Sequence, residues 1–338
     1  MSKPQSNARS RGWIGIFGAA ALIVPWSLVH AGKTIQEHRT ADPQGEVEIV
    51  NVSGTIEVDG WDRSEVEVSG SAGDNVERVD VTSSGNRTSI RVVPRSRIGW
   101  GTDCEAHLVV HVPAKSAVMA SLVSSDFKVS GLLGMLKVQT VSGSVTGDSG
   151  GDVNATAISG DIRLTAHAAK MMEIKTISGD IRLTGGGGEV DVTTVSGGAT
   201  LQLTDVTRGR FKSVSGDLMV ALALGAEGQI DSESVSGSID MEFAATPAAE
   251  FDVQSFSGDI KNCFGPKPAE SRYGPGSRLA YKAGEGHARV RINTKSGDVR
   301  LCVKGMKNAE MSAPAPAPAP APALAQLRVM RIRVPYVL

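Results

Sequence analysis

Five aspartates, Asp161, Asp180, Asp217, Asp259 and Asp298, each follow a Ser-Gly pair. Carboxylates repeated along one face could serve glycosidic-bond hydrolysis or hold a hard cation through oxygen. Their plainer role is structural, as turn residues whose carboxylates accept backbone N–H groups. Gly198 and Ser238 interrupt the series. Like charges stacked about 5 Å apart would also repel one another. The structural role is therefore the one expected.

A second candidate is Gly147-Asp148-Ser149-Gly150-Gly151, which spells the setting of a serine nucleophile. Such a serine needs a histidine base and a buried aspartate to orient it. His107 and His111 precede it, but neither has the Ala-His-Cys setting such a base has in serine proteases. The five residues also fall at a turn, where Gly and Asp are needed anyway. Cys104, His107 and His111 suggest a metal site, yet on a strand 107 and 111 share a face that 104 does not. No fourth ligand is visible, and His167 and His287 fall in turns. Gly185 to Asp191 is close to a calcium-binding nonapeptide, but Val190 stands where an aspartate belongs and the motif occurs once. No catalytic residue, metal or cofactor is expected.

The elements that position these residues are written in one recurring phrase, apolar-x-apolar-x-(Ser/Thr)-apolar-Ser-Gly-(Asp/Ser)-apolar-x-apolar. Its Ser-Gly pairs are Ser142-Gly143, Ser159-Gly160, Ser178-Gly179, Ser196-Gly197, Ser215-Gly216, Ser236-Gly237, Ser257-Gly258 and Ser296-Gly297. A degenerate copy stands at Ser124. The serines recur every 17 to 21 residues, until a last step of 39. A fixed period near 20 marks a repeat architecture. Apolar residues alternate on both sides of Ser-Gly, which is the strand period. The parity changes at the pair, as between Thr194 and Val195, so a corner is expected there, with glycine supplying the backbone freedom. The expected fold is all-β, a single-chain parallel β-helix of about 18–21 residues per rung. Residues such as Ile174, Val192, Ile181 and Ile239 should stack inward.

Cys263 and Cys302 each lie six residues after their phrase serines, Ser257 and Ser296. The step of 39 equals one repeat plus a long loop at 265–286. The two cysteines would then share a slot on adjacent rungs, within disulfide range. Such a bridge would lock the last rung and contribute about 4 kcal/mol. Two reduced, buried cysteines are the alternative.

The 338 residues carry 35 Lys+Arg against 36 Asp+Glu, and no basic stripe runs along the repeats, so nucleic acid is not an expected partner. Residues 1–31 read as a signal peptide, with Lys3, Arg9 and Arg11, an apolar run from Gly12 to Val24, and a small-residue site at Val29-His30-Ala31. A weak N-terminal membrane anchor is the rival reading. Residues 32–123 form an irregular β-rich region that could cap the first rung. The repeats occupy 124–304. An Ala/Pro-rich linker follows at 305–323, then a basic tail at 324–338 with Arg328, Arg331 and Arg333.

Val52-Ser53-Gly54-Thr55-Ile56-Glu57-Val58-Asp59-Gly60-Trp61-Asp62, then Val110-His111-Val112-Pro113, then the Ser-Gly-Asp ladder, together resemble a family of bacterial envelope adhesin-type β-helix domains of unknown function, related to head-GIN domains. The resemblance covers roughly 40–304. It implies an exported all-β protein, found in the periplasm or at the cell surface, with no catalytic residues to carry over. The expectation is a non-catalytic envelope scaffold; the alternative is a β-helix enzyme acting on polysaccharide. Repetition of the same few residues suits many weak contacts better than one cleft of unlike groups. Arg272, Tyr273 and Tyr281 in the long loop form the expected contact patch. An envelope glycan, an envelope protein and a second copy of the chain are all open as partners.

Overall fold

A computed structural model describes residues 33–95, 104–270 and 276–305. The signal segment, Arg272, Tyr273, nearly all of the Ala/Pro linker and the basic tail lie outside the described residues. The described chain is all-β, with strands joined by turns and no helix.

The chain enters through β1 (Lys33–Thr40), β2 (Glu46–Trp61), β3 (Glu65–Ala72), β4 (Val76–Ser84), β5 (Arg87–Pro94), β6 (Glu105–Pro113) and β7 (Ala117–Leu132). β2 already contains a complete corner. It pairs in parallel with β7, setting Ser53 opposite Ser124. On its other side it pairs in parallel with β5 and β6, with Ile49 opposite Ile90 and Ile56 opposite Leu108. The first rung in the chain is therefore the second in space. Three antiparallel pairings, β3 on β6, β1 on β3 and β4 on β5, cover the outer edge.

The regular coil follows as β8 (Leu136–Ser142), β9 (Val145–Ser149), β10 (Val153–Ser159), β11 (Ile162–Ala166), β12 (Met171–Ser178), β13 (Ile181–Gly185), β14 (Gly188–Ser196) and β15 (Ala199–Ser215). Each rung has one strand before its corner and one after. Rungs stack in parallel and in register, so Ile174 faces Ala155 on one side and Val192 on the other. After the corner, Ile181 lies between Ile162 and Ala199. These residues form the core; Ile174, Val192, Ile181, Ile239 and Val299 are all buried.

Corner glycines permit this stacking. Gly197 has φ +136°, and a Cβ there would collide with the carbonyl of Gly179 on the rung before. Only glycine meets both conditions. At the corners of Gly197, Gly216 and Gly237 the serine or threonine three residues earlier fastens the corner from inside. Thr194 Oγ1 donates to Gly197 O at 3.3 Å, and Ser213 Oγ donates to Gly216 O at 2.9 Å.

The chain closes through β16 (Leu218–Ser236), β17 (Ile239–Phe243), β18 (Ala249–Ser257), β19 (Ile260–Asn262), β20 (Ala269–Glu270), β21 (Ser277–Lys282), β22 (Ala288–Ser296) and β23 (Val299–Val303). Here rung order departs from chain order. β22 pairs in parallel with β16 on one side, Ser236 opposite Ser296, and with β18 on the other, Ser257 opposite Ser296. β23 likewise lies between β17 and β19. The last repeat has slipped inside, and β18–β19 is the end rung. β21 then covers the outer edge of β18 antiparallel, and β20 pairs with β21. The sheet is thus mixed: a solenoid-like stack of parallel rungs whose two ends carry antiparallel strands, where a purely parallel helix was expected. An exposed strand edge is a template for aggregation, which accounts for the covers.

Phe243, Phe251, Phe264 and Tyr281 close the open end of the core. Phe251 meets Phe243 edge-on at 6.0 Å between centroids and stacks on Tyr281 at 5.0 Å. Cys263 and Cys302 form a disulfide with Cα atoms 4.9 Å apart. It joins the end rung to the intercalated rung. The shared slot satisfies the bond in either rung order, so the spacing alone says nothing about which rung is outermost.

Two outcomes are expected. Replacing Ile181 by Asp buries an unpaired charge and should cost at least ~3 kcal/mol in urea unfolding; a wild-type midpoint would refute the inward register. A variant with Ser236→Cys and Ser296→Cys should bridge under mild oxidation, because adjacent parallel rungs lie about 4.8 Å apart. Ser236→Cys with Ser257→Cys should fail, since the rung of Ser296 lies between them; the reverse pattern would restore chain order.

Candidate functional site

The corner has a second consequence. Because parity resets there, two consecutive side chains face outward, and the first of them is apolar. In the corner at Gly179, Thr176 faces in, Ile177 and Ser178 face out, and Ile181 faces in again. The in-register stack sets these outward residues side by side as Val123, Val141, Ile158, Ile177, Val195, Val214 and Val235, then Lys295, then Phe256. The apolar members are 39–52 % exposed, and Phe256 reaches 74 %. Nine positions at rung spacing make a ridge roughly 38 Å long. Seven consecutive apolar positions exposed side by side mark an interaction surface. The expected contact patch, Arg272, Tyr273 and Tyr281, does not include this ridge. The signal was in the phrase: a residue beside the parity change cannot face in.

Toward the C-terminal end the ridge becomes one wall of a groove of about 1010 Å³. Its floor is the outward row Thr193, Lys212, Glu233, Asn293 and Gln254, one residue from each of five neighbouring rungs. Its opposite side is formed by Ala269, Glu270 and Arg278 of the β20–β21 hairpin. Val214, Val235, Lys295 and Phe256 line the ridge side.

Most charges on the outer faces are matched across rungs or along a strand. Arg210 meets Asp191 at 2.9 Å and Lys212 meets Glu233 at 3.0 Å. Arg278 meets Asp252 at 3.3 Å, and Lys175 meets Glu173 on the same strand. Such exposed pairs add little stability. Their effect is to leave faces of nearly cancelled charge flanking an apolar ridge. Lys295 interrupts the ridge and enters no ion pair among the described residues.

The aspartates after Ser-Gly lie at the corners, and the carboxylates of four of the five accept from backbone. Asp161 Oδ1 accepts from Asp180 N at 2.9 Å, and Asp180 Oδ1 from Gly198 N at 2.9 Å. Asp217 accepts from Ser238 N at 2.8 Å, and Asp298 from Asp259 N at 2.9 Å. Each of these four carboxylates ties its corner to the next rung, and Asp259 on the end rung supplies only its N–H. That use occupies an oxygen and explains the repetition without chemistry. The Asp180 N–H holds the Asp161 carboxyl below the ordinary aspartate range, helped by Arg163. Lys175 does the same for Glu173.

Other candidates disperse. Ser149 is fully buried, so no substrate reaches it. His167 lies 3.8 Å from Asp148, outside the core that holds Ser149. His107 sits 3.6 Å from Glu105, and His111 stacks on Trp61 at 4.9 Å. Cys104 is buried, its Sγ 3.8 Å from Asn75 O. No cluster of three metal-ligating side chains occurs among the described residues. Tyr281, expected in a contact patch, instead packs inward on Phe251, and burial pushes its phenol pKa up.

Comparison with known proteins places these features in context. A family model described as Toastrack DUF4097 matches residues 45–302. No curated protein matches the chain. Among solved structures, the chain is similar to a candidate adhesin from Bacteroides fragilis, with 11% identity, coverage of 80% of this chain and 97% of that one, and a TM-score of 0.41. It is similar to a candidate adhesin from Parabacteroides distasonis at 13% identity, 80% and 98% coverage and a TM-score of 0.37. It is also similar to a candidate lipid-binding protein from Parabacteroides distasonis at 12% identity, 80% and 98% coverage and a TM-score of 0.33. Likenesses at these scores carry none of the functional reading.

A pH dependence follows from the corner bond of Asp161. A carboxyl whose folded pKa is depressed contributes stability that is present above its unfolded pKa and is lost as pH falls through the folded one. Stability should therefore fall as pH drops below the ordinary aspartate range near 4. Asp161→Asn should flatten that fall, read as urea midpoints of both proteins across acid pH. Parallel curves would remove Asp161 from the corner lock.

Proposed function

The chain belongs to the Toastrack DUF4097 family, and from that premise we propose that it is an exported, non-catalytic binding scaffold of the cell envelope, of adhesin type. It engages its partner through the corner ridge and the groove beside the β20–β21 hairpin. One observation carries this reading: the same apolar outward position recurs at seven consecutive corners and ends at Phe256, 74 % exposed, on the wall of a groove. An enzyme gathers unlike, cooperating groups in one cleft. Here four of the five carboxylates that could have served are corner ties. A long row of equivalent contacts instead gives strength through number. Export rests on residues 1–31, which read as a signal peptide. The candidate partners are an envelope glycan, an envelope protein or lipid, and a second copy of the chain.

The test compares wild type with the triple variant Ile158→Ser, Ile177→Ser, Val195→Ser. All three side chains are substantially exposed, so the fold should be spared. Both proteins are assayed for binding to whole cells and for turnover of envelope polysaccharides. The variant should melt like wild type and bind cells several-fold more weakly, and neither should turn over polysaccharide. Turnover by wild type would favour the polysaccharide enzyme; undiminished binding by the variant would dismiss the ridge.

A further inference from the structure

We propose that the groove binds a single envelope lipid with an anionic head, its acyl chain lying along the solenoid axis against Phe256, Val235 and Val214. This rests on the scaffold reading and names the ligand class.

Shape comes first. The floor crosses five rungs, and four steps at rung spacing give a length of about 19 Å. One leaflet of a bilayer core, an acyl chain deep, measures about 15 Å, half of the full thickness. The groove's volume of about 1010 Å³ is that of a site able to enclose a small ligand. It runs across the strands, along the axis, so a linear molecule fits it and a compact one does not.

Chemistry comes second. The ridge wall is Val214, Val235 and Phe256, apolar and held open to solvent. Among the described residues the lining holds no Trp or Tyr, and Phe256 is its one aromatic ring. A partner strand has no free edge here, because β21 occupies the outer edge of β18. The described lining carries three cations, Lys212, Arg278 and Lys295, against two acids, Glu233 and Glu270. Lys212 is held by Glu233 and Arg278 by Asp252. Lys295 stands between Val235 and Phe256 because its rung is intercalated there. A cation set within an apolar wall complements an amphiphile with a negative head. The head lies at the Phe256 end, one rung from Lys295 and within reach of its long side chain, and the acyl chain runs past Phe256, Val235 and Val214.

The probe is a fluorescent long-chain fatty acid, titrated into purified protein without detergent, alongside the methyl ester of the same chain. Wild type should bind the acid saturably at one per chain and prefer it to the ester. The double variant Phe256→Ser, Val235→Ser alters only exposed side chains and should melt like wild type, yet bind at least ~10-fold more weakly. Lys295→Glu should lose the preference for acid while keeping the affinity for ester. Met219→Ser, at an exposed side chain outside both ridge and groove, should behave as wild type. Absence of saturable binding by wild type, or an unchanged Phe256/Val235 variant, would overturn the proposal. So would light scattering that shows a wild-type dimer, dissolved by the Phe256/Val235 change, with no fatty acid bound. Whole-cell binding that survives such a result would leave the scaffold reading intact; loss of both would end both.

Discussion

One close approach governs the molecule: the backbone of each corner glycine against the carbonyl of the glycine on the neighbouring rung. Parallel strands sit about 4.8 Å apart, and at the corner that spacing leaves no room for a Cβ. Gly216 meets Gly197 in this way, Gly237 meets Gly216, Gly297 meets Gly237 and Gly258 meets Gly297. The positive φ needed for the bend makes the same demand independently. Once the corner is fixed, its other features follow. The hydroxyl three residues earlier can reach the glycine carbonyl, the aspartate after it can reach the N–H of the next rung, and the apolar side chain before the serine is turned outward.

The ends obey a different constraint. A solenoid of this kind has an open sheet edge and an open core at each end. Both ends here answer with a rung taken out of chain order and an antiparallel strand laid over the edge. At the start, β2 lies between β6 and β7. At the finish, β22 lies between β16 and β18. The rung left outermost at the finish carries Phe251, and Phe243, Phe264 and Tyr281 gather round it to seal the core.

The same end arrangement makes the groove. The hairpin that covers β18 also forms the wall opposite the ridge, and the intercalated rung brings Lys295 into an otherwise apolar row. Along the remaining faces, cross-rung pairs such as Arg210–Asp191 cancel charge locally. Closing the fold and shaping the candidate site are therefore one event at the C-terminal end.

Much of this was legible in residue spacing. The alternation around Ser-Gly determined the strands, the corner, the inward residues such as Ile181 and Val192, and the slot shared by Cys263 and Cys302, because each depends on local parity and a period near 20. The outward turn of Ile177 and its equivalents was equally encoded in that parity. Three things were decided only by the tertiary structure: the order of the end rungs, the antiparallel covers, and the groove between ridge and hairpin. The physical reason is degeneracy. Every phrase presents the same hydrogen-bonding groups and the same glycine to whichever rung lies beside it, so Ser296 satisfies Ser236 and Ser257 equally well. Which neighbour it takes is settled by closing the core and covering its edges, a property of the whole stack.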